Sequence, residues 1–330
     1  MQVNWELINK NLKEFQINYK VIQTFVNPFI KPLLDLILEE YGKYGENIDL
    51  RKNIVDENYV SPEDSIKSVE EFLEDFDRGL HQKFQNLLHD ENQVKIALDN
   101  KMESRVFNNI LYLFLKQNGD DKYTICHEFT HKFFPYIHNY DDTISTLSRQ
   151  MVVEINSLTM EKIFNDKEKD SLFLKNRLIS DFNKTISYSF IEWMSQILKK
   201  YGTIDGNILV KEFNDLENEN KRMGFYTYLN TLAALIQNNN MTFQNEAFRY
   251  IIGSTLSSTL FYRLKNEAIS VEEYIKMMSD LTLVNTYEEA LDIMNLNYIK
   301  NPKILDEIKD SYKKHNKYIF TERDDNKCRK

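Results

Sequence analysis

Apolar residues recur at intervals of three and four along most of the chain, which is the spacing of one face of an α-helix. This periodicity predicts long helices over 144–165, 170–201, 225–238 and 243–266. Only 8 glycines and 5 prolines interrupt the 330 residues, and these two residue types are the strongest breakers of helices. The pattern therefore predicts a mainly α fold.

One helix start is well marked in the first hundred residues. Ser61 can act as the N-cap by accepting a backbone hydrogen bond, and Pro62 suits the first helical position. The apolar face that follows is formed by Ile66, Val69, Phe72 and Leu73. The pattern predicts a single helix that continues to about Leu88.

The stretch NNILYLFLKQNGDDK, residues 108–122, is ambiguous. The apolar run from Ile110 to Leu115 fits a buried strand or part of a buried helix equally well. Asp120 and Asp121 then offer an N-cap and a favourable charge at the start of the next helix. That helix is expected to end near Pro135.

The same helix carries the sequence HEFTH. Positions four apart on a helix differ by about 40° in direction, so His127 and His131 project from one face and can bind a single metal ion. Glu128 lies beside them, and in zinc peptidases of this pattern the glutamate accepts a proton from water instead of binding the metal. The alternative is a chance arrangement of three polar residues.

A catalytic zinc usually has three protein ligands, so a third ligand is expected downstream. Glu154 lies 23 residues after His131 in an apolar stretch, where a carboxylate needs a partner. Glu161 follows one heptad later on the same face and could orient a ligand histidine. The alternative for both glutamates is a solvent-exposed position on a helix.

The segments TICHEFTH and EINSLTME together resemble the oligopeptidase F and thimet oligopeptidase family, whose active-site helix carries HExGH and whose next helix carries Glu-x-x-Ser. Weaker similarity extends over residues 62–300 and includes EAFRYIIGSTLSSTLFYRL at 246–264. The resemblance implies a multi-helical, zincin-like catalytic domain with a small β-sheet beside the active-site helix. It also implies that Ile110–Leu115 is a strand that pairs with an extended substrate.

The resemblance further implies one Zn²⁺ per chain, bound by His127, His131 and Glu154, with Glu128 as the general base. It favours Tyr250, or else Tyr262, as a donor to the oxyanion that develops in the reaction. Both tyrosines also have a simpler interpretation as packing residues.

Several positions depart from the family. Thr130 replaces the usual glycine, Phe134 replaces a histidine, and Asn240 stands at another histidine position. The sequence is also much shorter than full-length members, and we expect it to lack most of their amino-terminal helical half. We expect one domain over residues 1–314, with amino-terminal helices at 1–61, and a loose polar tail over 315–330.

Composition limits the partners that are expected. The net charge of −9 argues against binding nucleic acid or anionic lipid, because phosphate binding requires concentrated Lys and Arg.

No apolar run approaches the roughly 20 residues of a membrane helix, and the amino terminus lacks a signal-peptide pattern. Cys126 and Cys328 are far apart and predict no disulfide. A soluble, cytoplasmic protein is expected.

Three functions compete at this level. The first is a metallopeptidase that cleaves short peptides or a specific precursor peptide. The second is a catalytically silent relative that binds peptides or a partner protein, and the third is a helical interaction protein without a metal. The presence of both histidines, Glu128 and Glu154 favours the first. The sequence does not indicate the oligomeric state or the cleavage position.

Overall fold

The computed structural model describes residues 3–44, 58–135, 143–226 and 243–321. The protein is mostly helical with one small β-sheet, as predicted. In chain order the elements are α1 (Trp5–Tyr44), α2 (Pro62–Phe76), α3 (Arg78–Leu88), β1 (Val94–Leu98), β2 (Arg105–Phe107), β3 (Ile110–Leu115), α4 (Asp121–Phe133), α5 (Thr143–Glu168), α6 (Ser171–Tyr201), α7 (Gly206–Asn214), α8 (219–226), α9 (Phe243–Lys265), α10 (Val271–Leu281), α11 (Tyr287–Ile293) and α12 (Pro302–Thr321).

The chain groups into two compact units, each built from two separate stretches. Unit 1 contains Met1–Asn53 and Arg177–Ile251, and unit 2 contains Ile54–Asn176 and Ile252–Lys330. The boundaries at Asn176/Arg177 and Ile251/Ile252 lie within helices α6 and α9. The single domain expected over residues 1–314 stays a prediction.

Unit 1 is a helical unit whose aromatic side chains pack edge to face. Tyr41 of α1 meets Phe182 of α6 with ring centroids 5.4 Å apart, and Phe190 of α6 meets Phe225 of α8 at 5.0 Å. Such pairs contribute beyond the burial of their area. They join helices that are distant in sequence.

Unit 2 is built around α4 and α5, which pack along each other. Phe129 of α4 contacts Phe84 of α3 with ring centroids 4.5 Å apart. On another side, Tyr123 contacts Phe164 of α5 at 5.2 Å, and its hydroxyl donates to Asn165 Oδ1 at 2.7 Å. Helix α4 is therefore packed between α3 and α5 through aromatic contacts.

The sheet has the order β1-β3-β2. Strand β3 runs parallel to β1 and antiparallel to β2, with Tyr112 opposite both Lys95 and Arg105. The ambiguous apolar run is therefore a strand. Its side chains alternate between fully buried leucines at 111, 113 and 115 and partly exposed residues, since successive side chains point to opposite faces.

The helix that begins after Ser61 is shorter than predicted. Ser61 Oγ accepts from the backbone N–H of Asp64 at 3.0 Å, so the predicted cap is present. However, Asp77 adopts an extended conformation and caps a new helix by accepting from the N–H of Leu80 at 2.8 Å. The single helix expected to continue to Leu88 is thus two helices, because an aspartate favours capping over a helix interior.

The turn between β3 and α4 sets where the motif helix begins. Asp120 occupies the N-cap position but makes no capping hydrogen bond. Asp121 is buried, and its two carboxylate oxygens accept from the backbone N–H groups of Lys116 and Gln117 at 2.9 and 2.7 Å. The carboxylate therefore stabilises the preceding turn, and α4 ends at Phe133 shortly before Pro135, as expected.

The prediction of a loose polar tail from residue 315 is wrong for its first residues, 315–321, which are helical. Helix α12 continues to Thr321, and its buried face includes Ile308, Tyr312, His315 and Asn316. The His315 ring packs against Phe261 with centroids 5.9 Å apart, and burial lowers its pKa well below the usual value. The helical spacing of this face outweighs its polar composition.

Some predictions fall outside the described residues, including most of the helix expected over 225–238 and any role of Asn240 or Cys328. Among the residues that the structure describes, none of the helices is long and apolar enough to span a membrane.

The buried position of Asp121 makes a testable contribution to stability. Asp121→Ala leaves two backbone N–H groups without their acceptor, so we expect the free energy of unfolding to fall by about 2–4 kcal/mol. Asp99 is the matched control, because it also accepts from two backbone N–H groups, those of Lys101 and Met102, but in an exposed turn. Asp99→Ala should cost less than about 1 kcal/mol in urea denaturation. Equal losses would contradict this account of the turn.

Candidate metal centre

Helix α4 presents the two motif histidines on one face. His127 is buried with 8% of its surface exposed, and His131 is partly buried one turn further along. Their Nε2 atoms lie 3.0 Å apart. The opposite side of the helix packs on Phe84 through Phe129, which fixes the rotation of α4 and hence the direction of both rings.

Helix α5 supplies the carboxylate that sequence analysis predicted. Glu154 is 4% exposed, and its Oε2 lies 3.3 Å from His127 Nε2 and 3.9 Å from His131 Nε2. The Ser157 hydroxyl lies one turn further along and donates to the Glu154 backbone carbonyl at 3.2 Å. The structure thus brings His127, His131 and Glu154 together, close enough to bind a metal ion.

The separations of the three ligand atoms fit zinc. Ligand bonds of about 2.0–2.2 Å in a tetrahedral arrangement place neighbouring ligand atoms about 3.3 Å apart. The observed separations of 3.0, 3.3 and 3.9 Å scatter around that value. Two nitrogens and one carboxylate also match the ligand set of many catalytic zinc sites, in which a fourth position stays open.

Glu161 determines which nitrogen of His127 faces the cluster. Its Oε1 lies 2.5 Å from His127 Nδ1, and the carboxylate is buried. The hydrogen bond places a proton on Nδ1, so it is Nε2 that faces His131 and Glu154 and could bind a metal ion in place of a second proton. A carboxylate in this position typically orients a metal-binding histidine and makes it more basic.

The electrostatics of the cluster favour a positive charge. Burial alone would lower the pKa of His127, but hydrogen bonds to Glu154 and Glu161 outweigh burial and raise it. A histidine that attracts a proton this strongly, beside two buried carboxylates, would also attract a metal cation, which competes with the proton for the same site.

Glu128 lies beside the cluster and is not one of its three ligands. Burial raises its pKa to about 7, to which the negative charges of Glu154, Glu161 and Glu103 also contribute, while His127 opposes the shift. A carboxyl group with a pKa near the working pH can both accept and donate a proton. Glu128 is therefore suited to proton transfer.

The departure from the family pattern that lies on α4, Thr130, is compatible with this geometry. Thr130 is completely buried, and its hydroxyl donates to the backbone carbonyl of Cys126 at 2.7 Å. The threonine therefore satisfies its own polar group within the helix.

Cys126 is buried outside the ligand cluster, and burial raises its thiol pKa well above the usual value, which disfavours the thiolate. His138 lies outside the described residues.

The position of β3 in the sheet bears on the prediction that this strand pairs with a substrate. Its edge towards β1 is paired from Leu111 to Leu115. Its other edge pairs with β2, and beyond β2 the Ser104 hydroxyl accepts from the backbone N–H of Phe114 at 2.8 Å. The prediction that β3 pairs with a substrate backbone is therefore wrong, because both of its edges are already used.

Sequence reasoning missed the contact that fixes α4 to the sheet. Asn108 and Asn109, in the turn between β2 and β3, both have positive φ angles, of 49° and 59°. Lys132 Nζ donates to the Asn109 backbone carbonyl at 2.7 Å. An Asn-Asn pair between two apolar segments is a recognisable hairpin signal, whereas nothing in the sequence indicates its contact with Lys132.

The two tyrosines considered for the oxyanion are placed as follows. Tyr250 belongs to unit 1, where the ammonium of Lys184 lies 2.8 Å from its ring centroid. Tyr262 belongs to unit 2, and the ammonium of Lys314 lies 4.4 Å from its ring centroid. Burial raises the pKa of Tyr262 to about 12. A catalytic role for either residue stays a prediction.

Comparison with known proteins adds one similarity of fold. No family model matches the chain, and no curated protein matches it in sequence. A crystal structure from Chlamydophila abortus, described as that of a "putative peptidase", matches with a TM-score of 0.57 and 12% identity. The match covers 93% of this chain and 62% of that one. At this identity the likeness shows a shared, peptidase-like fold, and the resemblance to oligopeptidase F stays a prediction.

Glu161 should affect metal affinity without being a ligand. Glu161→Ala removes the acceptor for His127 Nδ1–H, so we expect zinc affinity to fall by about 10–100-fold, with a smaller loss for Glu161→Gln. Competition with a chelating dye would measure this change. Glu168→Gln is the control on the same helix, since Glu168 pairs with Lys122 away from the cluster, and it should bind zinc normally. Unchanged zinc affinity in Glu161→Ala would contradict the orienting role.

Proposed function

We propose that the protein is a zinc-dependent peptidase, similar to oligopeptidase F, that hydrolyses short peptides or a specific precursor peptide. The observation that carries this proposal is the convergence of His127, His131 and Glu154 beside Glu128. The fold shared with a protein described as a "putative peptidase" supports the same class of reaction.

His127, His131 and Glu154 would hold one zinc ion. When bound, zinc polarises a carbonyl group and makes water more acidic, so that hydrolysis proceeds near neutral pH. Glu161 would hold His127 in the tautomer that directs Nε2 to the metal. The nearly complete burial of Glu154 and Glu161 keeps the surrounding dielectric low, which strengthens these charge interactions.

Glu128 would transfer the proton. Its carboxylate accepts a proton from the attacking water and then donates it to the amine that leaves when the peptide bond breaks. Its raised pKa, about 7 before a cation binds, would be lowered again by the positive charge of the metal. General acid–base catalysis of this type contributes typically about 10²–10⁴-fold in rate.

An extended peptide would have to pair with the outside of the sheet, since β3 is enclosed. Strand β2 is one outer strand and packs against α4, the helix that carries both histidines. Addition of a peptide strand to an exposed edge is a common mode of recognition. We therefore place the substrate backbone along β2 in this proposal, beside the exposed Phe107 side chain.

The central test separates metal binding from catalysis. Glu128→Gln keeps the three ligands but cannot accept the proton, so we expect about one zinc per chain and a loss of peptide cleavage of at least about 100-fold. His131→Ala removes a ligand and should lose both zinc and activity. Metal analysis and mass spectrometry of a random peptide mixture would measure the two properties.

A chelator should abolish cleavage by the wild-type protein, and added zinc should restore it. Full activity in the Glu128→Gln protein would falsify the assigned role of Glu128. Zinc binding without cleavage of any peptide by the wild-type protein would instead favour a silent, peptide-binding relative.

Tyr250 offers a separate test of the oxyanion hypothesis. If its hydroxyl donates to the developing oxyanion, Tyr250→Phe should lower kcat by about 10²–10³-fold with little change in KM or zinc content. Tyr262→Phe provides the matched comparison. A normal kcat in Tyr250→Phe would remove this residue from the mechanism.

A further inference from the structure

Helix α9 lies very close to α5 at Gly253, directly beside Glu154. A Cβ atom added at Gly253 would lie 2.7 Å from Leu158 Cδ1, 3.0 Å from Glu154 Cβ and 3.5 Å from the Glu154 backbone carbonyl carbon. Glu154 and Leu158 of α5 therefore occupy the space that a side chain at residue 253 would need. Glycine is the weakest helix former after proline, so its place inside a helix requires another reason.

The contact continues along both helices in the same direction. One turn after Gly253, the Ser257 hydroxyl accepts from the buried ammonium of Lys162 at 2.9 Å. Further on, Lys265 Nζ pairs with Asp166 Oδ1 at 2.5 Å. These contacts show that α9 and α5 lie along each other, so the close approach at Gly253 is part of an extended interface.

Glu154 has little freedom to move away from α9. The other side of α5 faces α4, where the Glu154 carboxylate lies 3.3 Å from His127 Nε2 and Glu161 is hydrogen-bonded to His127 Nδ1. Leu158 is fully buried, so the end of its side chain is also enclosed by neighbours. A methyl group at residue 253 would thus push α5 as a whole, including the Glu154 carboxylate.

We propose that Gly253 is a positioning residue for the metal centre: its missing side chain lets α9 hold the Glu154 carboxylate at bonding distance from a metal shared with His127 and His131. This inference rests on the proposed zinc site and concerns the affinity of that site. Metal–ligand distances tolerate deviations of about 0.2 Å, which is less than the shift needed to relieve the contact with Glu154 Cβ.

The first experiment compares two glycines with similar surroundings. We expect Gly253→Ala to weaken zinc binding by about 10–100-fold, the range for groups that orient ligands. Gly224→Ala is the matched control, because its added Cβ would lie 2.6 Å from Ile186 Cδ1 in unit 1. Both substitutions overpack a helix contact, so both should lower the thermal stability of the metal-free protein, but only Gly253→Ala should alter zinc affinity.

A double-mutant cycle distinguishes positioning of Glu154 from general destabilisation. Glu154→Ala retains the Cβ atom that contacts residue 253 but removes the ligand, so the remaining affinity comes from the two histidines. If Gly253 acts through Glu154, adding Gly253→Ala in this background should change zinc affinity by less than about twofold. A zinc-binding dye competition measures all four proteins without relying on peptidase activity.

The outcomes separate the two proposals. Normal zinc affinity in Gly253→Ala, or an equal loss in the Glu154→Ala background, would overturn the positioning role while leaving the proposed function intact. Absence of zinc binding by the wild-type protein would overturn both.

If Gly253→Ala does not fold, Leu158→Ala removes the 2.7 Å contact and leaves the one with Glu154. Leu158→Ala/Gly253→Ala should then bind zinc more weakly than Leu158→Ala alone. Equal affinities of these two variants would overturn the inference.

Discussion

The convergence of three electron-rich atoms in a buried position is the constraint on which the rest of this structure depends. His127 Nε2, His131 Nε2 and Glu154 Oε2 lie within 3.0–3.9 Å of one another. Such atoms repel unless a proton or a cation lies between them, and burial makes that repulsion stronger. The arrangement therefore favours positive charge, and the three atoms lie close enough to bind a metal ion.

Apolar packing holds the convergence in place. Phe129 packs against Phe84 on the side of α4 away from the histidines, and Tyr123 packs against Phe164 where α4 meets α5. These contacts fix the rotation of α4 and its separation from α5. The polar atoms then become one another's partners, so the free energy of burying Glu154 and Glu161 is offset by contacts with His127 and by the ion that the site would hold.

The sheet and α9 also pack around the helices that carry His127, His131 and Glu154. Strand β3 supports α4 but has both edges paired, so it can position the motif helix without receiving a peptide strand. Helix α9 contributes a position without a side chain, Gly253, and thereby comes close to Glu154. Support of His127, His131 and Glu154 is thus distributed over elements that contain none of them.

The sequence by itself determined what depends on local spacing. The three-to-four periodicity predicted the helices, Ser61 predicted a cap, and the four-residue spacing placed His127 and His131 on one face. Glu154 could be selected because it is a carboxylate in an apolar stretch, and Glu161 because it lies seven residues further on the same helix. Each of these inferences needs only the geometry of a single helix.

Only the tertiary structure decided what depends on distant partners. Whether 110–115 forms a strand, and that this strand lies in the middle of the sheet, depends on pairing with β1 and β2. The burial of His315 depends on the surface that receives α12, and the close approach at Gly253 depends on the packing of two helices about a hundred residues apart in sequence. Apolar periodicity shows that a face is buried, but the neighbour that buries it is determined by the packing of the whole unit.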